Sequence, residues 1–198
     1  MKKDPSRRKD HYFHKAKSES YAARAVYKLE QIDKKFHLFS PAQRVLDLGC
    51  HPGSWMQYAS KRVGRSGQVV GIDRVETAPP AGNVRTIAID IFEVTPERIG
   101  EPEQSFDVVL SDMAPNTTGI KAVDQLKSTA LAERALELAL AFCKAGGHFA
   151  VKIFMGPDEP KLFSAMRRRF ERVVRHKPDA SRSESMEGYL IGLKLKEG

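Results

Sequence analysis

The chain has 198 residues and carries 33 Lys and Arg against 25 Asp and Glu, a formal charge of +8 with an isoelectric point near 9.5. A chain of this length buries roughly 70% of its unfolded surface and is expected to form one domain around a substantial core. Its two cysteines, Cys50 and Cys143, make neither a disulfide framework nor a metal site, and no apolar stretch approaches the ~20 residues that cross a bilayer.

The basic amino terminus has no apolar segment behind it, so a secretory signal is not expected and a reducing cytoplasm is. An excess of positive charge points to a polyanionic partner, most often nucleic acid. The charge is also unevenly spread. Residues 1–17 hold Lys2, Lys3, Arg7, Arg8, Lys9, Lys15 and Lys17 against Asp4 and Asp10. Residues 161–182 hold Lys161, Arg167, Arg168, Arg169, Arg172, Arg175, Lys177 and Arg182 against Glu171 and Asp179.

In chain order, residues 1–17 read as a basic arm without regular structure, and 18–198 as a single domain. Ala22, Ala25, Val26, Leu29, Ile32 and Phe36 recur at helical spacing and predict a helix over 18–38, stopped by Ser40-Pro41. A short buried strand is expected at 44–48, a glycine-rich turn at 49–53, and a helix at 54–63. Strands follow at 68–73 and 84–89, then a loop at 78–82 and a short helix at 95–99. The apolar run 106–112 is the next strand, and an irregular loop leads to a long helix over 124–143. Ala145-Gly146-Gly147 turns into a strand at 147–154. A helix at 158–170, the segment 172–177 and a last strand at 188–195 complete the chain. Alternation of this kind makes an α/β fold with a mainly parallel sheet covered on both faces.

Two of these strands end on residues that a purely structural strand avoids. One delivers Asp112 and the other Lys152 to the same rim, where open α/β sheets bind ligands. The turn after the first strand places Gly49, Pro52 and Gly53 immediately before a helix start, an arrangement that can hold an anionic group. The dinucleotide fingerprint G-x-G-x-x-G is absent, which disfavours a nucleotide-dependent oxidoreductase. Asp73 closes the second strand and can accept from two ribose hydroxyls. Asp90 follows the third and could read the amino edge of an adenine, with Ile91 packed on its face. Asp47, Asp73 and Asp90 could each be an ordinary turn acid, but acids after three consecutive strands favour a ligand. A ribose, an adenine and a carboxylate without a pyrophosphate describe S-adenosylmethionine.

These residues also form a set of words. They are 20–29 (SYAARAVYKL), 47–55 (DLGCHPGSW), 111–116 (SDMAPN), 151–154 (VKIF) and 177–187 (KPDASRSESME). With them in this order, the chain resembles the FtsJ/RrmJ (RlmE) family of ribosomal RNA ribose 2'-O-methyltransferases over nearly its whole length. The resemblance implies a Rossmann-like methyltransferase fold with a seven-stranded sheet, S-adenosylmethionine as methyl donor, and a catalytic tetrad at Lys28, Asp112, Lys152 and Glu187. It places cofactor contacts at Gly53, Trp55, Asp73, Asp90 and Asp112, to which the turn and the adenine reading add Gly49, Pro52 and Ile91, and no metal is expected. Two departures fall in the cofactor loop: Ser54 where a second glycine is usual, and Cys50-His51 in place of two small residues.

The tetrad also makes chemical sense by itself. A ribose hydroxyl is a poor nucleophile at neutral pH and must lose its proton as the methyl moves, whereas a sulfonium methyl needs no metal to activate it. Alignment can supply ~7–11 kcal/mol and a placed base ~10²–10⁴-fold. A lysine acts as a base only when neutral, a form that burial and a neighbouring ammonium favour. Amino-group methyltransferases carry a second proline and an aromatic residue after the strand that here ends in Asp112-Met113-Ala114-Pro115, so oxygen is the better acceptor.

The expected partner is ribosomal RNA, within the assembled large subunit, with a uridine of the A loop as target and a monomeric, cytoplasmic, membrane-free enzyme. Methylation of tRNA or an mRNA cap, or an inactive RNA-binding protein on the same scaffold, are the alternatives. His11, Tyr12, Phe13 and His14 could stack on bases, and Arg24 with Arg167–Arg169 could extend the groove. His37, His51, His148 and His176 show no ligand spacing and read as structural.

Overall fold

The structure is a computed structural model. It describes residues 5–181 and 185–197, with side chains from residue 12 onward. Lys2, Lys3, Asp4, Arg182 and the side chains of Arg7, Arg8, Lys9, Asp10 and His11 therefore lie outside the described residues.

Seven strands form one sheet. In chain order they are β1 (Arg44–Leu48), β2 (Gln68–Asp73), β3 (Val84–Ala88), β4 (Phe106–Ser111), β5 (Cys143–Phe154), β6 (Phe170–His176) and β7 (Glu187–Leu195). Their spatial order is β3-β2-β1-β4-β5-β7-β6. The first five are parallel, while β7 runs antiparallel to both β5 and β6. The helices are α1 (Pro5–Ser18), α2 (Val26–Phe36), α3 (Ser54–Val63), α4 (Pro96–Ile99), α5 (Lys121–Phe142) and α6 (Glu159–Arg169).

Strand alternation sends successive side chains to opposite faces. Leu46, Leu48, Val109, Val151 and Ile153 pack with α5 and α6 residues such as Ala135, Phe142 and Met166. Val45, Val108, Leu110, Ala150 and Ile191 pack on the other face with Leu29 and Ile32 of α2 and Trp55, Met56 and Ala59 of α3. The apolar faces of the helices are thus spent on a sheet buried from both sides, as the near-continuous apolar strands anticipate.

Two segments differ from expectation. Where residues 1–17 read as an irregular arm, α1 is a helix, and its last turns pack through Ala16 and Tyr12 against Tyr27. Ser20, in the left-handed region at φ +59°, ends that helix, with Tyr21 N–H donating to Ala16 O at 2.9 Å. The apolar period from Ala22 to Phe36 therefore spans a connection and a shorter helix, α2. His37, at φ +54°, closes α2 by donating to Asp33 O. The second difference is the start of β5, which begins at Cys143 directly after α5. Phe106 pairs with Cys143 and Val108 with His148, so the expected turn at 145–147 becomes an irregularity inside the strand.

Candidate active site

The strand register brings the predicted tetrad together. Ser111 pairs with Val151, so Asp112, the next residue, emerges beside Lys152. Lys152 in turn pairs with Tyr189 on β7, and Phe154 with Glu187. Because directly opposed residues and residues two apart share a face, Lys152, Tyr189 and Glu187 all point toward α2, the helix that carries Lys28.

Two ion pairs result. Lys28 Nζ lies 2.6 Å from Glu187 Oε1, with the side chains 11% and 13% exposed. Lys152 Nζ lies 3.1 Å from Asp112 Oδ1, at 7% and 16%, and also donates to the Asp112 carbonyl. Ser181 Oγ donates to Glu187 Oε1 at 2.8 Å. Burial alone would push the Glu187 carboxyl up, but Lys28, Ser181 and Lys152 together hold it below the usual carboxylate range.

Tyr189, which the sequence reading counted only as part of an apolar strand, completes the group. It is wholly buried and its hydroxyl donates to Asp112 Oδ1 at 2.6 Å. Burial, the charges of Asp112 and Glu187, and that hydrogen bond raise its phenol well above the ordinary value, so it stays a neutral donor. The signal was present in its spacing, since Tyr189 lies two residues beyond Glu187 and must share its face.

A cleft of about 350 Å³ opens beside Asp112 at the carboxyl ends of β1, β2 and β4. Gly49, Asp73, Asp90, Ile91 and Asp112 line it. Gly49, at φ +79°, has no room for a side chain, because a Cβ there would meet Met113 Cγ at 2.2 Å. Asp73 braces the turn: its Oδ2 accepts His51 N–H at 3.0 Å and its Oδ1 accepts Val75 N–H at 2.8 Å. Asp90 caps the short 3-10 turn Ile91–Glu93 by accepting Phe92 N–H at 2.9 Å.

Pro52, Gly53 and Trp55 do not line the cleft. Gly53, at φ +106°, turns the chain into α3. The Trp55 side chain lies in the core, 3% exposed, stacked on Tyr189 at 6.0 Å, with Nε1 donating to Ala25 O at 2.9 Å. A large indole on the first turn of α3 faces the sheet rather than the rim. Conversely, His51, read as structural, lines the cleft.

Asp47, on β1, lies two residues before Gly49 of the cleft. It is 1% exposed, and neither carboxylate oxygen has a hydrogen-bond partner among the described residues. Burial, with the nearby charges of Asp112 and Asp73, raises its carboxyl to about 8. A buried acid without a partner beside a cleft rich in carboxylates suits a cation, and S-adenosylmethionine carries both a sulfonium and an ammonium.

Without ligand, Asp47 holds a proton at pH 7 that the unfolded chain, with an ordinary carboxyl, does not. Its raised value therefore favours the fold at low pH and loses that contribution as pH rises from about 4 toward 8. Cation binding favours the ionised form, so S-adenosylmethionine should bind more tightly as pH rises from 6 to about 8, with proton uptake by the buffer. Titration calorimetry in buffers of different ionisation enthalpy checks this, and Asp47→Asn should abolish the proton exchange.

The FtsJ-like methyltransferase family model matches residues 21–195. The chain belongs to this family. It is 49% identical to ribosomal RNA large subunit methyltransferase E of Syntrophobacter fumaroxidans, with 96% of this chain and 97% of the relative covered. To the protein of the same name from Desulfosudis oleivorans it is 46% identical, covering 100% and 97%. A crystal structure from Plasmodium falciparum, described as a ribosomal RNA methyltransferase, superposes with a TM-score of 0.77 at 27% identity, over 90% of this chain and 100% of that one. The family's methyl donor is S-adenosylmethionine.

Of the basic clusters, Arg167, Arg168 and Arg169 are exposed in the last turn of α6, where the helix dipole also favours cations. Phe13 is exposed, with the His14 ring edge-on at 5.7 Å. Tyr12 instead packs on Tyr27, their ring centroids 5.3 Å apart. Among the described residues no helix is long and apolar enough to cross a membrane.

Proposed function

We propose that this chain methylates a ribose 2'-hydroxyl in large-subunit ribosomal RNA, on a uridine of the A loop, with the assembled subunit as substrate. It would do so as a cytoplasmic monomer. The observation that carries this reading is the pair of adjoining ion pairs, Lys28–Glu187 and Lys152–Asp112, at the edge of a carboxylate-rich cleft.

When bound, S-adenosylmethionine supplies an electrophilic methyl on a sulfonium. Asp73 and Asp90 would hold its nucleoside end, and Asp47 and Asp112 its positive charge. The remaining work is at the sugar oxygen, which must be held in line and relieved of its proton. Lys152 has its amino group directed by the Asp112 carboxylate and carbonyl; as the neutral amine it takes the hydroxyl proton, or as the ammonium it balances the oxygen's developing charge. Lys28, directed by Glu187, brings a second donor to the same oxygen. Neutral, buried Tyr189 holds Asp112 in place. Exposed cations such as Arg167–Arg169 would meet the RNA phosphates.

The test uses purified chain, labelled S-adenosylmethionine and large ribosomal subunits from a strain lacking the homologous enzyme. Alkaline hydrolysis cannot cut beside a 2'-O-methyl group, so a single missing band at an A-loop uridine is expected. Label on another ribosomal nucleotide would overturn the assigned target, and label on tRNA alone would overturn the ribosomal assignment.

A further inference from the structure

Gln31 lies one helical turn beyond Lys28 on the same face of α2. Lys28 reaches Glu187 directly. Gln31 reaches the turn 178–181 instead, where its Oε1 accepts Ala180 N–H at 3.2 Å. That turn is closed by Ser181 N–H to Pro178 O at 2.9 Å, and it presents Ser181 Oγ to the same Glu187 oxygen that takes Lys28. One helix face therefore grips one carboxylate oxygen twice: once through Lys28, and once through Gln31, the turn and Ser181.

The donors settle which way the Gln31 amide points. Ala180 N–H can only donate, so Oε1 must face it and Nε2 is directed toward α1. There Tyr12 OH accepts at 3.2 Å. Packing follows the same path. Ala16, Val26, Tyr27 and Ala180 form a small apolar cluster apart from the two main cores, with Tyr12 and Tyr21 against it. α1, α2 and the 178–181 turn thus meet immediately behind the Lys28–Glu187 pair, and none of these contacts belongs to the cofactor cleft.

We propose that Gln31 is a positioning residue for methyl transfer: it holds the 178–181 turn so that Ser181 and Lys28 grip Glu187 together, and α1 orients its amide through Tyr12. The inference rests on the proposed function, in which the Lys28–Glu187 pair faces the reacting oxygen. With two donors on one oxygen the direction of the carboxylate is set. With one, it swings and Lys28 follows, and misplacement by about 1 Å can cost up to 10²-fold in rate.

The experiment compares full-length wild type, Gln31→Leu, Gln31→Glu and Lys152→Ala on large ribosomal subunits. Gln31→Leu should lower kcat about tenfold, leaving KM for the subunit and Kd for S-adenosylmethionine essentially unchanged. Its acid limb of kcat should move to higher pH, because a Glu187 carboxylate with fewer donors is easier to protonate. Gln31→Glu still accepts from Ala180 N–H and can accept from Tyr12 OH, so it should recover most of the lost rate.

Wild-type kcat in Gln31→Leu would overturn the inference. So would a loss of rate with an unmoved acid limb that Gln31→Glu does not relieve, since that is the behaviour of a merely structural residue. If Lys152→Ala is inactive while Gln31→Leu is fully active, only the role of Gln31 falls. If Lys152→Ala transfers normally, the proposed function falls and takes this inference with it.

Discussion

Replacing Lys152 with alanine should reduce methyl transfer about 10³-fold, within the range for removing a placed proton acceptor or an equivalent charge. S-adenosylmethionine should still bind, because Asp73, Asp90 and Ile91 line the cleft independently of β5. Filter-binding of transferred label and calorimetry of the cofactor measure the two quantities separately. Wild-type turnover in the alanine variant would refute the assignment. Lys152→Arg then separates the two chemical roles. A guanidinium keeps the charge but does not release its proton near neutrality. Substantial activity in the arginine variant would mean that Lys152 works by charge, and its loss that Lys152 accepts the proton.

Asp112→Asn should damage both chemistry and fold. Asp112 Oδ1 receives Lys152 at 3.1 Å and Tyr189 OH at 2.6 Å, and the residue also lines the cofactor cleft. An amide keeps the shape but removes the charge that offsets Lys152, whose side chain is only 7% exposed. Leaving one partner of such a pair uncompensated costs about 3 kcal/mol or more. For a domain of this size that is a fall in Tm of roughly 6–12 °C at about 2–4 °C per kcal/mol. Turnover should fall by at least about 10²-fold, with weaker cofactor binding as well. A variant that melts like wild type would show that Asp112 does not stabilise Lys152 in the fold.

The sequence was most informative where local pattern and global packing agree. β1, α3 and β2 fall at the residues expected of them because β1 and β2 are short apolar runs and α3 is an amphipathic segment between Gly53 and Gly64, each buried where its period requires. Tertiary contacts overrode the pattern elsewhere. The period from Ala22 to Phe36 could not reveal that Ser20 breaks the helix, since that turn is stabilised by α1 packing on Tyr27. Basic composition suggested an irregular arm where α1 forms, because composition does not register an apolar stripe as narrow as Tyr12 and Ala16. Trp55 belongs to a motif whose Gly49 and His51 line the cleft, yet its ring is directed by the face of α3 rather than by the loop.

By itself the sequence determined the chemistry available: acids after successive strands, a lysine at the end of β5, and a glycine turn that admits a ligand. Chain order also implied a doubly covered sheet. Only the tertiary structure decided how those groups meet, since that depends on pairings between distant segments. Inserting β7 antiparallel between β5 and β6 sets Glu187 and Tyr189 opposite Phe154 and Lys152. Shifting that register by one residue would turn both side chains to the opposite face and leave Lys28 and Asp112 without them.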